Sequence, residues 1–147
     1  MAERFKIKFD PKGLDAGLDQ LAAGADECVR PAAQAGAQVL YDEVLARVPV
    51  AKRDRTTKSG RIIARGALKA SIYQAYSQDN SGEGRATYHV SWNYKKAPHG
   101  HLVEFGTSRA PAHPFLRPSY DARANDALQA ANAKWKAGMQ QVIAGLK

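Results

Sequence analysis

Three histidines and one glutamate between residues 99 and 113 are the first candidates for catalytic or metal-binding chemistry. His99, His101, Glu104 and His113 carry imidazole and carboxylate groups of the kinds that bind zinc. Their spacing argues against a metal site, because His101 and Glu104 are merely three residues apart and no cysteine lies near them. We therefore expect no metal and no cofactor.

The sequence also lacks the motifs of nucleophilic catalysis and of phosphate binding. No serine lies within the glycine pattern of a nucleophile elbow, and Lys58-Ser59 lacks the upstream glycines of a phosphate-binding loop. A nuclease or a toxin is disfavoured because the sequence shows no acidic metal-binding cluster. The sequence thus predicts a protein that is not an enzyme.

Positive charge is concentrated in one segment of the chain. The net charge is +8, and the stretch 52–69 holds seven basic residues against Asp54 alone. These basic residues are Lys52, Arg53, Arg55, Lys58, Arg61, Arg65 and Lys69. One interpretation is a solvated loop that keeps the protein soluble; the other is a contact with DNA phosphates or with an acidic protein partner.

The basic segment shows no sequence-reading features. It has no interleaved aromatic residues, and neither a helix-turn-helix nor a zinc-ligand pattern is present. Any contact with double-stranded DNA would therefore ignore base sequence. We expect a flexible basic loop at about 50–66, because few of its residues are apolar enough to be buried.

Length and composition indicate one domain over residues 1–147, large enough to bury a modest core. The single cysteine, Cys28, excludes an intramolecular disulfide and is expected to be a small buried residue. No apolar run approaches the roughly 20 residues of a membrane helix, and no signal-peptide core follows the first residues. We expect a soluble protein that is made in the cytosol and has no membrane partner.

The hydrophobic period changes after the first ten residues. Residues 5–9 alternate apolar side chains with lysine, which predicts an edge strand, and residues 10–13 predict a turn. From Leu14 to Val48 the apolar residues recur at helical spacing. Pro31 predicts a break between about Gly24 and Pro31, and so either two helices or one kinked helix.

Two strands are predicted beyond the basic segment. Residues 66–72 form a short turn into a strand over 71–77, and residues 78–84 form a hairpin loop. Residues 86–94 alternate apolar and polar side chains and predict the returning strand. With residues 5–9 they give an antiparallel sheet of three or four strands, packed against an N-terminal helical region and a long C-terminal helix. The fold class is α+β.

The last helix carries one apolar seam at spacings of three and four from Tyr120 to Leu146. About 28 residues at 1.5 Å each make it about 40 Å long. Two interpretations stay open: its distal half packs on another subunit, or it frays after Gly138. The small residues from Ala32 to Ala37 predict close approach by another element, either this helix or a neighbouring subunit.

The segment before this helix is predicted to be a rigid connector. Residues 101–105 predict a short helix that ends at Gly106 in a left-handed conformation, and residues 107–113 predict a loop. Pro118 suits the first position of the last helix, where its missing N–H is no loss. Phe115 and Leu116 are therefore predicted to lie just outside that helix.

Glu104 is best interpreted as a structural residue of this connector. Its carboxylate is expected to bind either an arginine, Arg109 or Arg117, or free backbone N–H groups. Phe105 and Phe115 are both expected to fill the core, since each is a large apolar side chain.

Two short motifs in the connector resemble the signature of a phage family. The residues that carry the resemblance are Glu104, Phe105, Gly106, Thr107, Pro114, Phe115, Leu116, Arg117 and Pro118. They are similar to the motif of the tail-completion or head-tail connector family typified by gene product ten of the HK-type lambdoid phages. The order of the predicted elements is similar over most of the chain.

The resemblance implies a structural virion protein at the head-tail junction, made in the bacterial cytoplasm. It implies a homo-oligomeric ring, a hexamer or dodecamer, that contacts head-connector and tail-tube or tail-terminator proteins and lets double-stranded DNA pass. The charge alone leaves a second class open, a small basic protein that binds DNA without sequence specificity.

Overall fold

A computed structural model of the chain describes residues 11–58, 60 and 62–146. The elements in this part are α1 (Pro11–Arg47), β1 (Arg55–Thr56), β2 (Ile62–Ile63), α2 (Ala67–Ser71), β3 (Ile72–Tyr76), β4 (Tyr88–Trp92), α3 (Gly100–Phe105) and α4 (Leu116–Gly145). The predicted α+β class is confirmed by the long first helix, the antiparallel strand pairs and the long last helix. The strand predicted over residues 5–9 lies outside the described residues.

The first helix runs without interruption through Pro31, so the predicted break is wrong; of the two arrangements left open, the chain forms one helix and not two. A proline inside a helix removes one hydrogen bond and costs about 3 kcal/mol in isolation. Here the ring is exposed, and the helix packs along α4 on both sides of it. That packing offsets the local cost. The turn predicted over residues 10–13 is also wrong for residues 11–13, because Pro11 begins the helix at a position where its missing N–H is no loss.

Small side chains bring α1 and α4 into close antiparallel contact. Gly36 lies so near α4 that a Cβ on it would be 2.9 Å from the carbonyl oxygen of Ala127. Eight residues earlier on α1, Cys28 faces Gly138. The close approach predicted for the segment Ala32 to Ala37 is therefore made by the C-terminal helix of the same chain.

The distal half of α4 packs on the N-terminal half of α1. Val142 lies against Gly24, and the helix continues to Gly145, so fraying after Gly138 is not observed. The seam is only partly buried, because Tyr120 and Leu128 in its first half and Trp135 and Leu146 in its distal half remain exposed. Packing of the distal half on another subunit therefore stays a prediction. Cys28 is half-buried where full burial was expected. None of the helices in the described part is long and apolar enough to cross a membrane.

The described strands form two separate antiparallel pairs instead of one sheet of three or four strands. In the larger pair β3 and β4 lie side by side, with Ile72 opposite Trp92 and Tyr76 opposite Tyr88. In the smaller pair β1 and β2 join within the basic segment. Among the described residues no third strand joins either pair.

The core lies at one end of the molecule, where α1 ends and α4 begins. Its buried residues come from α1, the segment just after it, α2, β3, the segment between β4 and α3, and the connector: Val44, Val48, Leu68, Ile72, Ala97 and Phe115. Half-buried side chains such as Val90, Trp92 and Val103 pack against this cluster. Beyond this core α1 and α4 continue as an antiparallel helix pair. The connector must therefore direct the start of α4 back along α1.

The close contact of α1 with α4 predicts that alanine substitutions at Gly36 and Gly17 change the stability of the protein by different amounts. Gly36→Ala and Gly17→Ala gain the same helix propensity, but only the first meets another backbone, since nothing lies within 4 Å of a Cβ on Gly17. We expect Gly36→Ala to be less stable than Gly17→Ala by about 1–3 kcal/mol. Urea unfolding of the two variants measures this difference. Equal free energies of unfolding would show that the helices are not in close contact.

Candidate functional site

The carboxylate of Glu104 holds the first turn of α4. One oxygen, Oε2, accepts hydrogen bonds from the backbone N–H of Phe115 at 2.7 Å and of Leu116 at 3.1 Å. The other, Oε1, accepts one from the N–H of Arg117 at 3.2 Å. Of the two kinds of partner considered for Glu104, the structure shows the backbone groups. Among the described residues the carboxylate makes no ion pair, and its charge lies at the positive end of the helix dipole.

This arrangement accounts for every donor that the start of α4 leaves without a helical partner. A helix leaves its first four N–H groups free, here those of residues 115–118. Three of them donate to Glu104, and the fourth residue is Pro118, which has no N–H. The helix starts at Leu116, two residues earlier than predicted. The proline is still harmless, because it occupies a position whose N–H would otherwise need a cap.

The two phenylalanines of the motif have opposite environments. Phe115 is fully buried, and its ring meets the indole of Trp92 edge to face, with centroids 5.9 Å apart. Phe105 is 70% exposed, so the prediction that it fills the core is wrong. Its neighbour Glu104 points inward to the cap, and the next side chain on this short helix consequently faces away from the core.

The residues after Glu104 turn the chain back towards α3. Gly106 has a φ of 74° and a ψ of −175°, so its φ is positive as expected but its conformation is extended instead of left-handed helical. A Cβ there would lie 2.7 Å from the backbone nitrogen of Ala112. The hydroxyl of Thr107 accepts from the N–H of Ala110, and the N–H of His113 donates to Val103 at 2.8 Å. These bonds fix the predicted loop.

The remaining motif residues lie at the surface or near it. Pro114 and Arg117 are exposed, Pro118 is half-buried, and Leu116 packs against the core as a half-buried side chain. Phe105, Pro114, Arg117 and Pro118 border a shallow depression beside the cap. The motif thus has a buried side, which contains Glu104 and Phe115, and an exposed side, which contains Phe105, Pro114 and Arg117.

The histidines of the connector do not assemble into a metal site. Across the described residues, no three histidine, cysteine, aspartate or glutamate side chains come close enough together to hold a metal ion. His101 instead bonds the carbonyl oxygen of Pro98 through Nδ1 at 2.9 Å, and its ring lies near that of Tyr94.

The basic segment forms a small hairpin that was not predicted. Arg55 pairs with Ile63 across β1 and β2, and the N–H of Arg65 donates to the carboxylate of Asp54 at 2.7 Å. Six of its predicted contact residues are exposed: Lys52, Arg53, Arg55, Lys58, Arg65 and Lys69. The seventh, Arg61, lies outside the described residues. Flexibility of the segment stays a prediction.

A groove, here called the basic groove, separates this hairpin from the connector. Its volume is about 660 Å³. Val50, Leu68 and Leu102 are among its apolar lining residues, and its charged residues are Arg53, Arg55 and Arg109. Groove walls of this kind combine an apolar surface with a few polar groups that orient a ligand.

Arg109 lies in a place that the sequence did not predict. It was considered as a partner for Glu104, but the loop carries it to the basic groove beside the arginines of the hairpin. No local pattern could have revealed this, because residues 53 and 109 are far apart in the chain. The structure brings two of the seven predicted basic residues into this groove and leaves four outside its lining.

The sequence was compared with family profiles, curated proteins and solved structures. One family profile, described as "Bacteriophage HK97-gp10, putative tail-component", matches residues 12–106, well over half of the chain. The match includes Glu104, Phe105 and Gly106 but ends before the Pro114 to Pro118 motif. No curated protein and no solved structure matches.

Loss of the Glu104 cap should destabilise the fold even though no charge partner is lost. We expect Glu104→Ala to reduce the free energy of unfolding by roughly 2 kcal/mol or more, because cap removal costs about 0.5–2 kcal/mol and a buried unpaired N–H about 1–3 kcal/mol. The control is Asp121→Ala, an exposed carboxylate on the same helix, with an effect within about 0.5 kcal/mol. Equal effects in chemical denaturation would contradict the capping role.

The two phenylalanines of the motif provide a matched pair. Phe115→Ala should cost about 3–5 kcal/mol, the usual range for emptying a buried aromatic site, whereas Phe105→Ala should cost less than about 1 kcal/mol. Thermal and urea unfolding measure both values. If Phe115→Ala melts like the unaltered protein, the side chain does not belong to the core.

Proposed function

The chain belongs to the HK97-gp10-like family of bacteriophage tail components, and we propose that its subunits form a ring at the head-tail junction of a tailed phage or prophage. The ring joins the head connector to the tail tube or the tail-terminator protein, and the genome passes through its lumen. The observation that carries the proposal is the match over residues 12–106 to a family of putative tail components. The resemblance of the connector motif to the head-tail connector family supports the position at the junction.

Exposed apolar side chains near the connector support a role in assembly. Leu102 and Phe105 on α3 and Tyr94 just before it are all largely exposed, as is Ile62 on the hairpin. A single exposed apolar residue needs no explanation, but several at one end of a molecule are typical of a surface that binds protein. Of these four residues, Leu102 lines the basic groove.

The proposed ring is a hexamer or a dodecamer whose subunits have no catalytic activity. Its contacts are heterologous, since a head-to-tail arrangement closes into a ring when the rotation between subunits permits. The small-residue face of α1 is not available for these contacts, because α4 of the same chain covers it.

The second candidate is a small basic protein that binds DNA without sequence specificity. It is favoured by the exposure of the six described basic residues of the segment 52–69. Its binding to unrelated DNA duplexes would be equally tight and would weaken with salt, with a logarithmic slope of about −0.9 for each phosphate neutralised. A free protein that binds duplexes in this way at physiological salt, and that is absent from particles, would favour this class over the ring.

Loss of this protein should leave heads and tails unjoined. A nonsense mutation in its gene, in the phage or prophage that encodes it, is expected to give DNA-filled heads and separate tails in electron micrographs of the lysate. Expression of the unaltered protein in trans restores joined particles, and expression of the destabilised Glu104→Ala variant restores fewer of them because less folded protein accumulates.

Two observations would contradict the proposal. One is a lysate of the nonsense mutant in which heads and tails are joined as usual. The other is purified particles in which mass spectrometry finds no copies of this chain. Native mass measurement on material released from particles gives the number of subunits.

A further inference from the structure

The end of α1 that lies far from the core carries an acidic and apolar surface, here called the acidic tip. Residues 14–27 contain four carboxylates and no lysine or arginine. The carboxylates belong to Asp15, Asp19, Asp26 and Glu27, and all are exposed. Among the described residues none of them forms an ion pair. Leu14 and Leu18 on the same turns are 52% and 53% exposed.

The basic groove has the complementary character. Its charged residues are Arg53, Arg55 and Arg109, and its lining includes Val50 and Leu102, which are 47% and 44% exposed. A surface that leaves two partly exposed apolar side chains beside three arginines matches one that presents two leucines beside carboxylates. The chain thus carries one surface with a local excess of positive charge and one with a local excess of negative charge.

The spacing of the charges also matches. Asp15 and Asp19 lie four residues apart on a helix, a rise of about 6 Å. Arg53 and Arg55 are separated by one residue, so their Cα atoms are at most about 7 Å apart. One helical turn of the acidic tip can therefore place both carboxylates opposite both guanidinium groups. Leu14 and Leu18 repeat at the same four-residue spacing, which is the pattern of a helix that binds in a groove.

The two surfaces cannot meet within one chain. The first helix has 37 residues and so a length of about 55 Å. The acidic tip occupies its first half, and the basic groove begins at Pro49, two residues after its last residue. The groove and the tip therefore lie towards opposite ends of an extended molecule. A contact between them joins two different molecules head to tail.

We propose that the acidic tip of one subunit binds in the basic groove of the next copy of this chain. This deepens the proposed function, on which it rests, by assigning the surfaces through which the ring closes. The contact is heterologous, so each subunit uses its tip once and its groove once. Leu14 and Leu18 occupy the apolar part of the groove, while Asp15 and Asp19 pair with Arg53 and Arg55.

Disulfide trapping detects this contact even when free subunits associate weakly. One preparation carries Leu18→Cys and another carries Leu102→Cys, both with Cys28→Ala and with tags of different mass. Mild oxidation of the mixture should give a mixed disulfide dimer. The matched control replaces Leu102→Cys with Leu128→Cys, an exposed leucine of α4 outside the groove lining, and should give a yield at least about tenfold lower.

Charge reversal tests the pairing itself. Arg53→Glu with Arg55→Glu in the groove protein, or Asp15→Lys with Asp19→Lys in the tip protein, should each lower the yield at least about tenfold, because like charges then face each other. Combining the two altered proteins should restore the yield, since the charges are again opposite. Unchanged melting temperatures show that the substitutions at these exposed positions leave the fold intact.

Three results would overturn the proposal: a yield no higher than the Leu128→Cys control, no loss on charge reversal, or no recovery when both partners are reversed. Loss of DNA binding in the Arg53→Glu, Arg55→Glu protein without loss of the mixed dimer would assign the groove arginines to DNA instead. Failed trapping, with heads and tails unjoined in the nonsense mutant, would reject this interface and keep the head-tail role. Successful trapping, with heads and tails joined as usual in the nonsense mutant, would keep this interface and reject the head-tail role.

Discussion

The cap that Glu104 provides for α4 is the interaction on which the rest of the structure depends. Its two oxygens accept hydrogen bonds from three successive N–H groups at the start of the helix, and Pro118 removes the need for a fourth. The carboxylate is buried, and a buried charge without such partners would be strongly unfavourable. The cap therefore fixes both the position at which α4 starts and its direction, and it places the adjacent Phe115 in the core.

The direction of α4 in turn decides the shape of the molecule. The helix returns antiparallel along α1, and small residues such as Gly36 and Gly138 let the two backbones come close. Because the main core lies at one end, the other half of the pair is stabilised mainly by this contact between two helices. A molecule built in this way has two distant ends with different surfaces. One end carries the groove with its arginines, and the other carries carboxylates and exposed leucines.

Much of the fold follows from local patterns in the sequence. The helical spacing of apolar residues predicted α1 and α4. The hairpin loop and the alternation after it predicted β3 and β4 within one or two residues. The small residues before Leu40 predicted a close neighbour, which is α4. Local reasoning failed where a distant contact outweighs a local preference. Pro31 breaks an isolated helix, yet α1 continues through it because packing on α4 holds both sides of the proline in one helix.

The sequence by itself determined the class of fold, the positive charge and the family to which the chain belongs, because hydrophobic period, charge and a profile match are all read from the residues alone. Only the tertiary structure decided the role of each motif side chain. Phe105 and Phe115 are equal as residue types, but the cap turns one outward and buries the other. Likewise the groove that contains Arg53 and Arg109 exists only because the connector folds back beside the hairpin. Such contacts between residues far apart in the chain depend on how the elements pack, and no local pattern encodes them.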